Sequence, residues 1–334
     1  MIHIGVLVPV NPGQPPPPEV RPVGRAALDL RGDGIVAIFG DQLERRGDTL
    51  WMSGLIAAPG RWEPLQAPIA ALHDRYPSQR RAASYARVQA LLGSLPMGNP
   101  LALTMLCRDK AGCQRVLEAH GVPMPALETD PTRWRDALAV WGAGFLKPQF
   151  GALGIGVRRV VPGDPLPEAC EGVVAGRQEP TILQRAVPPP PGWAGRSVRA
   201  LCQRLPGGGW HFCPPAVRQS RDDYVVNAAR GADVQPASDV LSAETCGDIA
   251  AACRATCAAL AAQDGGRWLV EVGLDLMIDD VGKAHVIEVN SRPRGRLESL
   301  AALDPARFAA AHRAACGRPL RALADQCWTS SESV

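Results

Sequence analysis

Lysine is almost missing from this chain. Of its 36 basic residues only Lys110, Lys147 and Lys283 are lysine, and all the others are arginine, so each lysine needs a local reason. Long apolar runs are missing too: none approaches the ~18–20 residues of a membrane span, which leaves no candidate transmembrane helix in the sequence. The opening Met-Ile-His-Ile-Gly-Val-Leu-Val-Pro-Val lacks a basic start and a small-residue cleavage site, and reads as the first β-strand of a cytoplasmic protein. Charge of one sign is not in excess either. A net charge of +3, with acids and bases interspersed, calls for no nucleic-acid or anionic-membrane partner. The ten cysteines include no C-x-x-C pair. Cys246, Cys253 and Cys257 fall on one face of an Ala-rich helical stretch, where thiols pack as small apolar groups rather than as metal ligands. No Ser-His-Asp or Cys-His constellation with a recognisable local signature occurs.

What is present is ordinary globular material. The 334 residues are 46% hydrophobic, enough for a sizeable core in two or three lobes. Residues 1–98 read as a small α/β lobe: a strand, a Pro-rich loop over Gln14 to Pro22, short strands around Gly34 to Gly40 and Thr49 to Leu55, and a helix near Pro77 to Leu92. A boundary falls at Asn99-Pro100. Residues 99–187 continue with a helix over Arg108 to Ala119 that Lys110 opens, a helix around Thr132 to Trp141, and strands over Gly144 to Pro148 and Thr181 to Val187. Residues 188–334 begin with four prolines, read as a stiff loop rather than a polyproline ligand. Strands over Val198 to Arg204 and Trp210 to Arg218 follow, then a helix over Ala243 to Ala262, a hairpin and a helical tail over Pro305 to Gln326.

The hairpin, "LVEVGLDLMIDDVGKAHVIEVNSRPRG" (269–295), carries the clearest chemistry. Leu274, Leu276 and Ile278 alternate onto one face and leave Asp275 on the other. Folding the chain about residue 281 brings Asp275 within a position of Glu288, and period two puts Glu288 and Asn290 on the same face. Two adjacent carboxylates repel unless one is protonated or a cation lies between them. Hard oxygen donors without Cys or His suit magnesium. A solvated strand edge with ordinary surface acids is the plainer alternative.

A second signal is "FLKPQFGALGIGV", in which Gly151, Gly154 and Gly156 follow Lys147. A dinucleotide-binding or Walker-type loop would lead into a helix. Here Pro162-Gly163-Asp164-Pro165 ends a strand instead, so the loop joins strand to strand, either as a tight turn or as a flexible cover whose backbone N–H groups meet phosphate. Lys147 would serve phosphate as a point charge.

Taken together, "DKAGCQRVLEAHGVPMPA", "FLKPQFGALGIGV" and "GLDLMIDDVGKAHVIEVNSRPRG" resemble the ATP-grasp superfamily over about residues 99–300. "ALHDRYPSQR" and "IEVNSRPRGR" look most like its YheC/YheD-like, endospore-coat-associated branch. The resemblance implies an α+β, ATP-grasp fold in which an N-terminal pre-ATP-grasp lobe precedes two antiparallel-sheet lobes that clamp ATP. It implies Lys110 and Lys147 on the phosphates under Gly151 to Gly156, and the backbone of Gln184, Arg185 and Ala186 at adenine. It also implies Arg199 and Arg218 at the transferring phosphoryl group, Asn227 near the metal, and Asp275, Glu288 and Asn290 on one or two Mg2+ ions, with Mn2+ as a substitute. Asp74 and Arg75 are either substrate ligands or a surface ion pair. Arg292, Arg294 and Arg296 are either receivers of a substrate carboxylate or solvated surface. Ser197 stands where relatives often carry an acid for ribose, and Val225 where many carry an arginine.

The activity so implied is a carboxylate–amine ligase working through an acyl phosphate on a small-molecule or peptide carboxylate and an amine, with a homodimer as an open assembly state. A nucleotide-binding coat or scaffold protein without turnover, and a kinase of the same fold, are the alternatives.

Overall fold

The central strand of the N-terminal lobe is apolar on both faces because it lies inside a sheet covered on both sides. In the computed structural model, which describes residues 1–11, 14–75, 82–151, 154–167, 171–174, 177–224, 226, 232–293 and 297–331, that strand is β1 (Ile2–Leu7). After it come α1 (Arg21–Leu30), β2 (Ile35–Arg46), β3 (Thr49–Ala58), β4 (Arg61–Pro68), β5 (Ala71–Asp74), α2 (Ala82–Leu92) and β6 (Met97–Gly98). The sheet order is β4-β3-β2-β1-β5-β6. β1 runs parallel to β2 and β5, while the β2-β3-β4 meander is antiparallel.

Helix α1 replaces the end of the expected Pro-rich loop. Pro22 falls in its first turn, where a missing N–H costs nothing, and Val23, Ala26, Ala27 and Leu30 are buried at helical spacing. The 71–80 segment, read only as a family motif, supplies β5, the sheet neighbour of β1. The part of the helix expected near Pro77 to Leu92 that precedes Ala82 lies outside the described residues.

The second lobe comprises α3 (Leu101–Arg108), α4 (Lys110–Glu118), β7 (Leu127–Glu128), α5 (Trp134–Trp141), β8 (Gly144–Pro148), β9 (Arg158–Val160), β10 (Glu171–Val174) and β11 (Arg177–Arg185). Its sheet is antiparallel in the order β10-β11-β8-β9, with β7 beside β11. The glycine loop joins β8 to β9, strand to strand, as its composition suggests. Trp134, Leu138, Leu146 and Leu183 form the lobe's own small core.

The third lobe comprises β12 (Gly195–Arg204), β13 (Trp210–Phe212), β14 (Ala216–Ser220), β15 (Asp233–Pro236), α6 (Ala237–Val240), α7 (Ala243–Ala261), β16 (Glu271–Ile278), β17 (Ala284–Asn290), α8 (Glu298–Leu303) and α9 (Pro305–Ser331). The single strand expected over Trp210 to Arg218 is two, because Pro214 and Pro215 cannot donate to a ladder. The sheet runs β15-β14-β12-β16-β17 and packs on α7, whose Cys253 and Cys257 are buried with Cys202, as a packing role requires. α9 returns to the N-terminal lobe, burying Cys316, Leu320, Leu323 and Cys327 against Ile4, Val23 and Ala26. No helix among the described residues is long and apolar enough to cross a membrane.

Candidate functional site

The cleft is made where the second and third sheets face each other, and three directly opposed residues form its floor. On β12, β16 and β17, Arg199 pairs with Asp275 and Asp275 with Glu288 in register, so one row of side chains crosses three strands. A bulge follows Asp275, and bulges re-aim side chains at functional edges. Arg199 Nη1 donates to Asp275 Oδ2 at 2.9 Å, Arg218 Nη1 lies 3.8 Å from Asp275 Oδ1, and Asn290 Nδ2 donates to Asp275 Oδ2 at 3.2 Å. The three expected oxygen ligands therefore do converge. Burial pushes the Glu288 carboxyl above its ordinary range; Lys110 opposes that rise and Asp275 adds to it.

The second lobe brings the lysines over this floor. Asp109 caps α4 by accepting from Gly112 N at 3.1 Å and takes Gln149 Nε2 at 2.6 Å, which ties the helix start to the exit of β8. Lys110 Nζ donates to the Gly151 carbonyl. Lys147 Nζ donates to Gln184 Oε1 at 2.5 Å. Burial lowers Lys147 to about 8, despite the pull of Glu288, and lowers Lys110 as well. Gly154 and Gly156, with φ of 70° and 72°, turn the loop back in the left-handed region that glycine adopts without strain.

The orientation of Gln184 is decided by a residue the sequence reading passed over. Gln114 Nε2 donates to the Pro125 carbonyl at 2.8 Å, which can only accept, so Gln114 Oε1 is left to take Gln184 Nε2 at 3.2 Å. The Gln184 oxygen must then face Lys147. Gln114 lies four residues after Lys110 on α4, a spacing that puts both on one helix face and was readable. Tyr224, also unforeseen, lines the cleft and stacks under Arg159 of β9 at 4.6 Å, linking the two sheets at the mouth. Ser197 lines it beside Arg218, its register partner.

The cleft holds about 270 Å³, and among the described residues its lining carries Lys110, Lys147, Arg185, Arg199 and Arg218 against Asp275 and Glu288. Such a surplus of positive charge suits a polyanion. Gly151, Gly154 and Gln184 also line it. At the expected adenine edge the N–H groups of Arg185 and Ala186 already donate to Ala126 and Ala143, at 2.8 and 3.0 Å. Asp74, Arg75 and Arg292 stand apart from the lining. Asp74 and Arg75 are not a surface pair: Asp74, almost fully buried, takes Arg292 Nη1 at 3.2 Å, and Arg75 Nη1 donates to Glu271 at 3.0 Å. The solvated-surface reading of Arg292 fails with it. Asn227, Val225, Arg294 and Arg296 lie outside the described residues.

The donor set fits magnesium. Among the described residues no three His, Cys, Asp or Glu side chains come together. The residues that would hold the ion are two carboxylates, Asp275 and Glu288, and the amide of Asn290, a small protein share of the kind magnesium usually takes. Arg199 now neutralises Asp275, and a phosphate would give that guanidinium a second anion to bridge.

A cleft of lysines, arginines and facing acids between two antiparallel sheets suits a phosphorylated ligand. Residues 170–313, under half of the chain, match the family model described as YheC/D like ATP-grasp, and the chain has the ATP-grasp fold. Among solved structures, D-cycloserine synthetase DcsG shares the fold at TM-score 0.60 and 19% identity over 97% of this chain and 99% of its own. The ATP-grasp ligase PsnB, solved with a minimal precursor, does so at TM-score 0.57 and 17% identity over 98% and 100%. D-alanine–D-alanine ligase from Bacillus anthracis does so at TM-score 0.56 and 14% identity over 100% and 99%. No curated protein sequence matches the chain.

Proposed function

We propose that the protein is an ADP-forming carboxylate–amine ligase. The observation that carries this reading is the row Arg199–Asp275–Glu288 facing Lys110 and Lys147 in one cleft. Phosphoryl transfer needs positioned charge and a metal more than a protein nucleophile, and among the cleft residues no activated nucleophile is needed. Lys110 and Lys147 hold phosphate oxygens, Arg199 and Arg218 stabilise the transferring phosphoryl group, and the backbone of Gln184 to Ala186 borders adenine. Mg2+ held by Asp275, Glu288 and Asn290 would supply charge neutralisation at the phosphates. A substrate carboxylate oxygen attacks the γ-phosphorus, the bond from phosphorus to the bridging oxygen breaks, and ADP leaves. An unprotonated amine then attacks the acyl carbon, phosphate departs, and the nitrogen gives up a proton. That three ATP-grasp synthetases and ligases share the fold supports the class; the acid and the amine are this chain's own matter. Incubation with ATP, Mg2+, a panel of amino acids and short peptides, and hydroxylamine as amine is expected to yield a hydroxamate and equimolar ADP. ADP release without hydroxamate, with a stable phosphorylated product, would make the protein a kinase instead. Tight ATP binding with no phosphate release from any acid would make it a nucleotide-binding scaffold.

A further inference from the structure

Beside the nucleotide cleft a second, smaller cavity opens, and Arg199 and Arg218 line both. Its walls are Leu201, Ala216, Val234, Pro293, Leu297 and Leu300, most of which belong to a satellite apolar cluster beneath α8 and α9. It holds about 30 Å³. One water needs roughly 10–15 Å³ by this measure, so the space suits a substituent of about one or two heavy atoms. The cavity is thus apolar at its end and cationic where it meets the cleft.

Two further details point to an anionic occupant at that junction. Among the described residues Arg199 Nε is buried without a hydrogen-bond partner, although Nη1 of the same group holds Asp275. A buried donor of this kind calls for an acceptor. Gly273 makes room for the arrangement: a Cβ there would stand 2.9 Å from Pro293 Cβ and 3.4 Å from Arg199 Nη1. Two guanidinium groups at the entrance favour a carboxylate.

We infer that this cavity is the side-chain subsite of the acid substrate. The carboxylate lies against Arg199 and Arg218 on the cleft side, and its short α-substituent fills the space before Leu300. The substrate class is an α-substituted carboxylic acid with a methyl, ethyl or hydroxymethyl group, free or as the C-terminal residue of a peptide; Ser299, also in the lining, can take a hydroxyl. This rests on the ligase reading.

The test uses the full chain with Mg-ATP and saturating hydroxylamine, which removes amine selectivity, and glycine, alanine, serine, 2-aminobutyrate, leucine and phenylalanine as acids. ADP release is expected to peak at alanine, serine and 2-aminobutyrate and to fall at least ~100-fold for leucine and phenylalanine. Ala216→Leu, or Ala216→Val if the larger change impairs folding, is expected to raise KM for the small acids ~10-fold or more and leave KM for ATP alone. Leucine or phenylalanine serving as well as alanine, or an Ala216 variant with an unchanged acid profile, would overturn the subsite while leaving the ligase standing. If Mg-ATP binds by calorimetry and no acid in the panel releases ADP, the ligase reading itself falls, and the subsite with it.

Discussion

Two acids on the same face of β16, four residues apart, have opposite fates. Glu271 is completely buried, and it takes Arg75 Nη1 at 3.0 Å and Gln203 Nε2 at 3.2 Å. Asn99 locks the backbone beside it: its Oδ1 accepts from Val270 N at 2.8 Å, and its Nδ2 donates to the Glu271 carbonyl at 2.6 Å. Asp275 also holds an arginine, at 2.9 Å, but both side chains keep about a fifth of their surface open to the cleft. The pairs are alike in chemistry and differ in what surrounds them. A carboxylate enclosed by protein donors is a joint between lobes, since Arg75 also donates to the Pro293 carbonyl at 3.0 Å just beyond the cleft floor. A carboxylate with an open side and a second acid across from it is a place for a cation and a ligand. Ion pairing alone therefore does not mark function; unfilled coordination does.

The largest effect is expected at Glu288. Glu288→Gln is expected to lower turnover by ~10³-fold or more, because one ligand charge in a water-poor cleft is worth several kcal/mol to the transition state. Its apo Tm should equal or slightly exceed the parent's, since burial already disfavours this charge. The Tm increment given by Mg-ATP should shrink. Unchanged turnover together with an unchanged increment would remove the metal site.

At the joint the outcome should be reversed. Glu271→Gln leaves Arg75 buried without its anion, and denaturant unfolding should show a loss of about 3 kcal/mol, while the remaining folded protein binds ATP as the parent does. Lost ATP affinity at parental stability would make the joint part of the active site.

Lys147 lies between these cases. With its folded value near 8 against an ordinary 10.5, it is charged in both folded and unfolded states below pH 8. Between pH 8 and about 10.5 the unfolded chain holds the extra proton, so this group's contribution to stability rises with pH across that window. ATP affinity should run the other way and fall above pH 8, as calorimetry would show. Lys147→Met should weaken ATP binding by about 10–100-fold, raise apo stability and abolish that pH dependence. The smallest effect on ATP is expected at Gln114→Met, which loses the hydrogen bond that aims Gln184 together with those to the Pro125 carbonyl and Glu118 and should raise the Kd for ATP about fivefold with kcat unchanged. A Gln114 variant with parental ATP affinity would show that Gln184 is held without Gln114.

How much of this was legible depends on chain distance. Period-two alternation and a turn sufficed to place Asp275 opposite Glu288, because a hairpin's register follows from its turn. The Asp109 cap and Gly121 bounded the Lys110 helix for the same local reason. Helix α1 was written in its 23, 26, 27, 30 spacing but hidden by neighbouring prolines, whose punctuation carried too much weight.

Local chain pattern is enough for a capped helix opening on a lysine, a glycine loop between strands, and a hairpin with acids on its open face. Which arginine meets which acid is settled by packing between distant elements. Arg199 and Asp275 are 76 residues apart, Gln114 and Gln184 70, and Arg75 and Glu271 196. Their encounters depend on how separate sheets and helices dock. A periodic pattern says which face of an element is buried, but not which distant element covers it.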